Sequence, residues 1–133
     1  MDKIRVLIVI LGLDQHEVGA IAVSRMLRDA GMEVIYAGRF NLPPMIVQMA
    51  MEENVDVIGL SCHSWEYFYY VPELLELLKE KKLEIPVIIG GSVITPGDAE
   101  IITKKGVAAA FGPTSLNEDI IQTIKRITSG KTR

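Results

Sequence analysis

Short apolar runs alternate with longer stretches of helical periodicity along the whole chain. The β-branched run Ile4-Arg5-Val6-Leu7-Ile8-Val9-Ile10-Leu11 ends at Gly12 and predicts a strand buried on both faces. Gly19, Ala22, Val23, Met26, Leu27 and Ala30 recur at helical spacing, and Gly31 stands where a helix would end. Val34 to Ala37 predicts a second strand. Asn41, followed by Pro43 and Pro44, predicts the start of a helix through Met45, Ile46, Met49 and Ala50, because proline fits a first helical turn. Val55 to Leu60 predicts the third strand and Val71 to Lys81 a Leu-rich helix. Pro86 to Ile89, ending in Gly90-Gly91, predicts the fourth strand. A short helix over Asp98 to Lys105 stops at Gly106, and Val107 to Phe111 predicts the fifth strand. The last helix, Asn117 to Thr128, buries Ile120, Ile124 and Ile127 behind a Ser115-x-x-Glu118 capping box.

Five strands alternating with five helices imply an α/β fold: one parallel sheet, helices on both faces, right-handed crossovers. The expected strand order is 2-1-3-4-5, as in flavodoxin-like (Rossmann-like) folds. Such a sheet binds ligands at the carboxyl ends of its strands, beside the switch between strands 1 and 3.

Composition narrows the functional classes. With 133 residues, the chain has the length of one ordinary domain and leaves no room for a second. Apolar residues make up 49% and charged residues 23%, a globular profile far from that of disorder. A net charge of −3 without a basic block argues against a nucleic-acid partner. The longest apolar stretch is far below the ~20 residues of a membrane helix, and nothing resembles a signal peptide. One cysteine, Cys62, excludes an intrachain disulfide and suits a reducing cytoplasm. It is expected to be a small buried hydrophobe.

The predicted carboxyl rim is where the polar chemistry gathers. Gly12-Leu13-Asp14-Gln15-His16-Glu17-Val18-Gly19 follows strand 1, Ser61-Cys62-His63-Ser64 follows strand 3, Gly90-Gly91-Ser92 follows strand 4, and Gly112-Pro113-Thr114-Ser115 follows strand 5. In an extended loop, Asp14 and His16 project to the same side. The carboxylate can then hold one imidazole nitrogen and leave the other as a metal ligand. The competing reading is a capping loop, with Asp14 on helix donors and His16 solvated. Gly19 allows the first turn of helix 1 to approach another group closely.

Asp14-x-His16-x-x-Gly19 after strand 1, Ser61 at the end of strand 3 and Gly90-Gly91 after strand 4 resemble the cobalamin-binding domain. The version resembled most belongs to the adenosylcobalamin-dependent acyl-coenzyme A mutases and the related glutamate mutase small subunit. The likeness runs from about Lys3 to Ile127 and implies a single cobalamin-binding domain over residues 1–133. It implies that His16 replaces the cofactor's lower base, dimethylbenzimidazole, as axial ligand of cobalt, with Asp14 as orienting partner. The displaced tail would thread into a cleft beside the sheet. Ser61 would bond its base, Gly90 and Gly91 would give it room, and Gly19 would let helix 1 flank it. Gln15, Glu17, Val18, Gly112, Pro113 and Thr114 complete the expected cofactor-binding set. The family pattern after strand 3 is Ser-x-Leu. Here His63 replaces the leucine, where it bonds a phosphate, a ribose hydroxyl or its own backbone.

Five of the chain's eight aromatics lie in Trp65-Glu66-Tyr67-Phe68-Tyr69-Tyr70, read as a loop after strand 3. Mixed use is expected, some rings lining the cofactor tail and others meeting a partner. The resemblance implies a cytoplasmic small subunit holding adenosylcobalamin base-off, catalytically silent alone. A separate substrate-binding large subunit, a barrel, completes a hetero-oligomeric mutase. Two alternatives stand beside it. A corrinoid carrier for methyl transfer or a cobalamin sensor is expected to carry a helical segment ahead of strand 1. A flavodoxin-like flavin-binding or signalling module forms the other class, and a phosphoacceptor would want an acidic residue where Ser61 stands.

Overall fold

The computed structural model describes residues 3–11, 17–62, 67–91, 94–112 and 115–129. Ten elements follow in strict alternation: β1 (Arg5–Leu11), α1 (Val18–Asp29), β2 (Glu33–Asn41), α2 (Pro43–Glu53), β3 (Val57–Ser61), α3 (Tyr67–Glu80), β4 (Val87–Gly90), α4 (Pro96–Lys104), β5 (Ala109–Phe111) and α5 (Asn117–Thr128). The strands form one sheet in the order β2-β1-β3-β4-β5, and each neighbouring pair is parallel. The expected flavodoxin-like α/β architecture and its strand order are therefore observed.

Because side chains alternate across a strand, each inner strand feeds two cores. Leu7, Val9 and Leu11 of β1 and Ile58 and Leu60 of β3 pack with Ile46 and Val47 of α2, Val71 and Leu74 of α3 and Ile102 of α4. Val6, Ile8 and Ile10, with Val57 and Ile88, face Ala20 and Leu27 of α1 and Ile124 of α5. Burial on both faces explains why the strands read as unbroken apolar runs. No described helix is long and apolar enough to cross a membrane.

Several local expectations are corrected. The face that α1 buries is Ala20, Ser24 and Leu27; Gly19 and Ala22 are exposed, so the helical set is rotated by about one position. Asn41 does not start α2. It ends β2, buried, and its side-chain amide donates to the carbonyls of Ile10 and Gly38 at 3.2 and 2.7 Å, leaving Leu42 ahead of the helix. The Ser115–Glu118 capping box does not form. The Ser115 amide donates to the Gly112 carbonyl and the Glu118 carboxylate accepts from Gln122 at 2.7 Å, so neither group reaches the other. A capping box forms instead at α4, where the Asp98 amide donates to Thr95 Oγ1 at 3.1 Å and the Thr95 amide to Asp98 Oδ2 at 3.3 Å. Finally, Tyr67–Tyr70 are the first turn of α3, not a loop.

Candidate functional site

The site lies at the carboxyl ends of β1, β3, β4 and β5, on the face covered by α1 and α5. Val57, Gly59 and Ser61 are the β3 positions on that face, and Ile88 and Gly90 are those of β4. Where a sheet under two helices would normally project branched side chains, it offers hydrogen at Gly59 and Gly90 and a hydroxymethyl at Ser61. The missing volume is a cleft of about 360 Å³ whose floor is Ile8, Gly59, Ser61, Ile88 and Gly90. Gly19, Ala20 and Val23 of α1 wall one side, and Ser115, Asn117 and Ile120 the other. Phe111, Gly91 and Gly112 close the β4–β5 end.

The four glycines at this rim do different work. A Cβ on Gly91 would lie 1.5 Å from the Cys62 carbonyl oxygen, and one on Gly112 would lie 2.8 Å from that of Ile94. Both are required by the close approach of successive rim segments. Gly90 is different: a Cβ there would meet only Phe111, no nearer than 3.7 Å, so the space it leaves belongs to the cleft. Gly59 is intermediate, its Cβ position lying 2.7 Å from Ile8 Cδ1, the movable tip of a side chain. A side chain at Gly59 would project into the cleft floor.

Of the residues predicted for the site, Gly19, Ser61, Gly90, Gly91 and Gly112 line this one cleft. Val18 stands at the first position of α1 and is largely exposed, away from the lining. Glu17 is outside the lining too. Its carboxylate accepts from the Tyr36 hydroxyl at 2.7 Å and lies 3.3 Å from Arg39 Nε. Burial and then the Glu17 carboxylate push the Tyr36 phenol up to about 12. Asp14, Gln15, His16, His63, Pro113 and Thr114 lie outside the described residues.

Sequence reasoning missed Gly59 and Asn117, and placed Ser115 on the rim without counting it among the cofactor-binding residues. Gly59 did carry a signal: an isolated glycine inside a β-branched strand marks a close approach to that strand. Ser115 was assigned to helix capping, which kept it out of the expected binding set, yet it lines the cleft. The expectation that the aromatic cluster lines the same pocket is not met by its described rings. Tyr67 is 1% exposed in the opposite core and stacks on Phe68 with ring centroids 4.3 Å apart. Tyr69 is 75% exposed. Neither they nor Tyr70 touch the cleft. Cys62 is buried, as expected.

A doubly wound parallel sheet with a mostly apolar cleft opened by glycines beside its β1–β3 switch defines a ligand-binding α/β domain. Residues 4–126 match the family model described as the B12 binding domain, and the chain belongs to that family. It is 37% identical over 133 residues to the 2-hydroxyisobutanoyl-CoA mutase small subunit of Aquincola tertiaricarbonis, covering 98% of both chains. It is also 37% identical over 122 residues to the pivalyl-CoA mutase small subunit of Xanthobacter autotrophicus, covering 91% of this chain and 81% of that one. Among solved structures, a cobalamin-binding protein from Desulfitobacterium hafniense superposes with a TM-score of 0.79 at 23% identity. That match covers 94% of this chain and 59% of that one, a likeness of fold.

Proposed function

We propose that this chain is the cobalamin-binding small subunit of a carbon-skeleton acyl-CoA mutase. In this reading it holds adenosylcobalamin with the lower base displaced and His16 on cobalt. The observation that carries the reading is the cleft between α1 and α5, floored by Gly59, Ser61 and Gly90. About 360 Å³ of mostly apolar space suits a flat heteroaromatic base with part of its nucleotide, within the usual range for small-molecule sites. The residues present thus fit the tail of the cofactor. The 37% identity to two mutase small subunits supports the assignment to a small subunit.

When bound, the cofactor supplies radical chemistry through homolysis of its cobalt–carbon bond. The chain's own work is binding and orientation. Ser61 donates a hydrogen bond to the displaced base, while Gly90 and Gly59 leave the floor bare beneath it. Gly19 lets the backbone of α1 lie against the tail. Gly112, Pro113 and Thr114 belong to the cofactor-binding set, and His63 meets the ribose or phosphate. Asp14 accepts the far N–H of the His16 imidazole, fixing its tautomer and raising the basicity of the ligating nitrogen. Gln15, Glu17 and Val18 flank that histidine. A large subunit, a barrel carrying the acyl-CoA substrate, covers the upper face in a cytoplasmic hetero-oligomer, and Tyr69 belongs to the surface that meets it.

The test is electron paramagnetic resonance of the reduced cobalt state bound to protein labelled with ¹⁵N-histidine. The expected spectrum carries splitting from a protein nitrogen, lost in His16→Ala. Splitting from the cofactor's own base in the wild type would overturn the ligand assignment.

A further inference from the structure

The segment bearing Asp14 and His16 joins β1 to α1, and both of its anchor points are described. At one, Leu11 is buried and pairs with Asn41 of β2. At the other, Glu17 is engaged twice by β2, through the Tyr36 hydroxyl at 2.7 Å and Arg39 Nε at 3.3 Å. Glu17 immediately precedes α1, where a negative side chain is favoured by the helix dipole and could bond the first free amides. It makes no such bond here. Its carboxylate is committed to the neighbouring strand.

That commitment depends on an irregular end to β2. Tyr36 and Arg39 are three residues apart, so in a regular strand they would project to opposite faces. The register runs Ile8 opposite Tyr36, Val9 opposite Gly38 and Leu11 opposite Asn41. Three steps along β1, Ile8 to Leu11, are thus matched by five along β2, Tyr36 to Asn41, which inserts two residues as bulges. Gly38 takes a φ of +73°, and the Asn41 amide stitches the irregular stretch to the Ile10 and Gly38 carbonyls. Bulges of this kind re-aim side chains near functional sites. Here they bring Tyr36 and Arg39 onto one carboxylate.

We propose that the bulged end of β2 is a positioning device: Tyr36 and Arg39 hold Glu17 and so fix where the adjoining His16 is presented to cobalt. The inference rests on the proposed role of His16. Neither Tyr36 nor Arg39 lines the cleft, so the device acts on axial ligation and leaves capture of the cofactor's tail alone.

The test uses the whole chain, labelled with ¹⁵N-histidine and loaded with cobalamin in its reduced cobalt state. Resonance spectra give the ratio of histidine-ligated to unligated bound cofactor, absorbance titration gives total affinity, and thermal melting reports apo stability. Tyr36→Phe is expected to lower the ligated ratio about tenfold, the scale of one hydrogen bond to a charged group. Arg39→Gln is expected to lower it less, and Glu17→Gln, whose amide oxygen still accepts from the phenol, to fall between them. An unchanged ratio in Tyr36→Phe and Glu17→Gln, with His16→Ala still abolishing the signal, overturns the positioning role and spares the ligand assignment. A drop in melting temperature without a change in ratio overturns it too. Absence of protein splitting in the wild type removes the ligand assignment, and this proposal with it.

Discussion

On the face covered by α2, α3 and α4, the strands contribute Leu7, Val9, Leu11, Ile58, Leu60, Val87 and Ile89, packed against buried residues of the three helices. On the face covered by α1 and α5, the same strands contribute Val6, Ile8, Ile10, Val57 and Ile88, then stop at Gly59, Ser61 and Gly90. Among the described residues the first core holds nineteen buried apolar residues and the second nine, so most of the burial that stabilises the sheet lies on one side. One face carries the fold. The other keeps just enough packing at its amino-terminal half to hold α1 and α5, and leaves its carboxyl half open for a ligand.

Substitutions that separate the two duties test this contrast. The largest effect is expected at Gly91, where a methyl group would collide with the Cys62 carbonyl. Gly91→Ala should cost at least about 4 kcal/mol, at the exceptional end for one substitution, as read by denaturant unfolding. Leu74→Ala empties space in the filled core and should cost about 3 kcal/mol while leaving cobalamin affinity of the folded chain unchanged. Gly59→Ala inverts that pattern. Only the tip of Ile8 must yield, so apo stability should stay within about 1 kcal/mol of wild type while cobalamin affinity falls about tenfold. A Gly59→Ala chain that lost stability but kept its affinity would erase the division between the faces.

A smaller effect distinguishes the two faces by pH. Tyr36 on the open face and Tyr67 on the filled one each have a phenol pushed up to about 12, in both cases first by burial. Glu17 adds to the shift at Tyr36 and Asp98 to that at Tyr67. The folded state binds these protons more tightly than the unfolded chain, whose phenols titrate near 10. Their contribution is therefore complete below pH 10 and lost as pH rises towards 12. Tyr36→Phe and Tyr67→Phe should each flatten the alkaline limb of a stability–pH curve. Only Tyr36→Phe should also change the histidine-ligated fraction of bound cofactor.

Strand order and element sequence were legible because burial on both faces writes each strand as an unbroken apolar run, with glycine, proline or polar residues at its ends. Helix starts were less legible. Ser115-x-x-Glu118 and Thr95-x-x-Asp98 are equally good caps as text, but the Ser115 amide is taken by a turn to Gly112 and the Glu118 carboxylate by Gln122 one turn along α5. The aromatic run was misplaced because Tyr67 to Tyr70 carry no helix-start signal. The burial of Tyr67 against the filled core draws them into α3. In the site, Ser61, Gly90 and Gly91 could be read because they stand where strands end. Gly59 stands inside one, where its effect depends on which face it points to. The bulges of β2 were invisible for a related reason: the apolar run stops at Ala37 and Asn41 reads as a helix start, so the irregular end of β2 emerges only from its pairing with β1.

If the open face receives the cofactor's nucleotide tail, a corrinoid without that tail should bind more weakly. The direct measurement compares affinities for cobalamin and for cobinamide, the corrinoid without that tail, in wild type and in Gly59→Ala. The wild type is expected to prefer cobalamin by at least about tenfold, a preference largely erased in the variant, with cobinamide affinity the same in both. Equal affinities in the wild type, or a preference that survives Gly59→Ala undiminished, would contradict it.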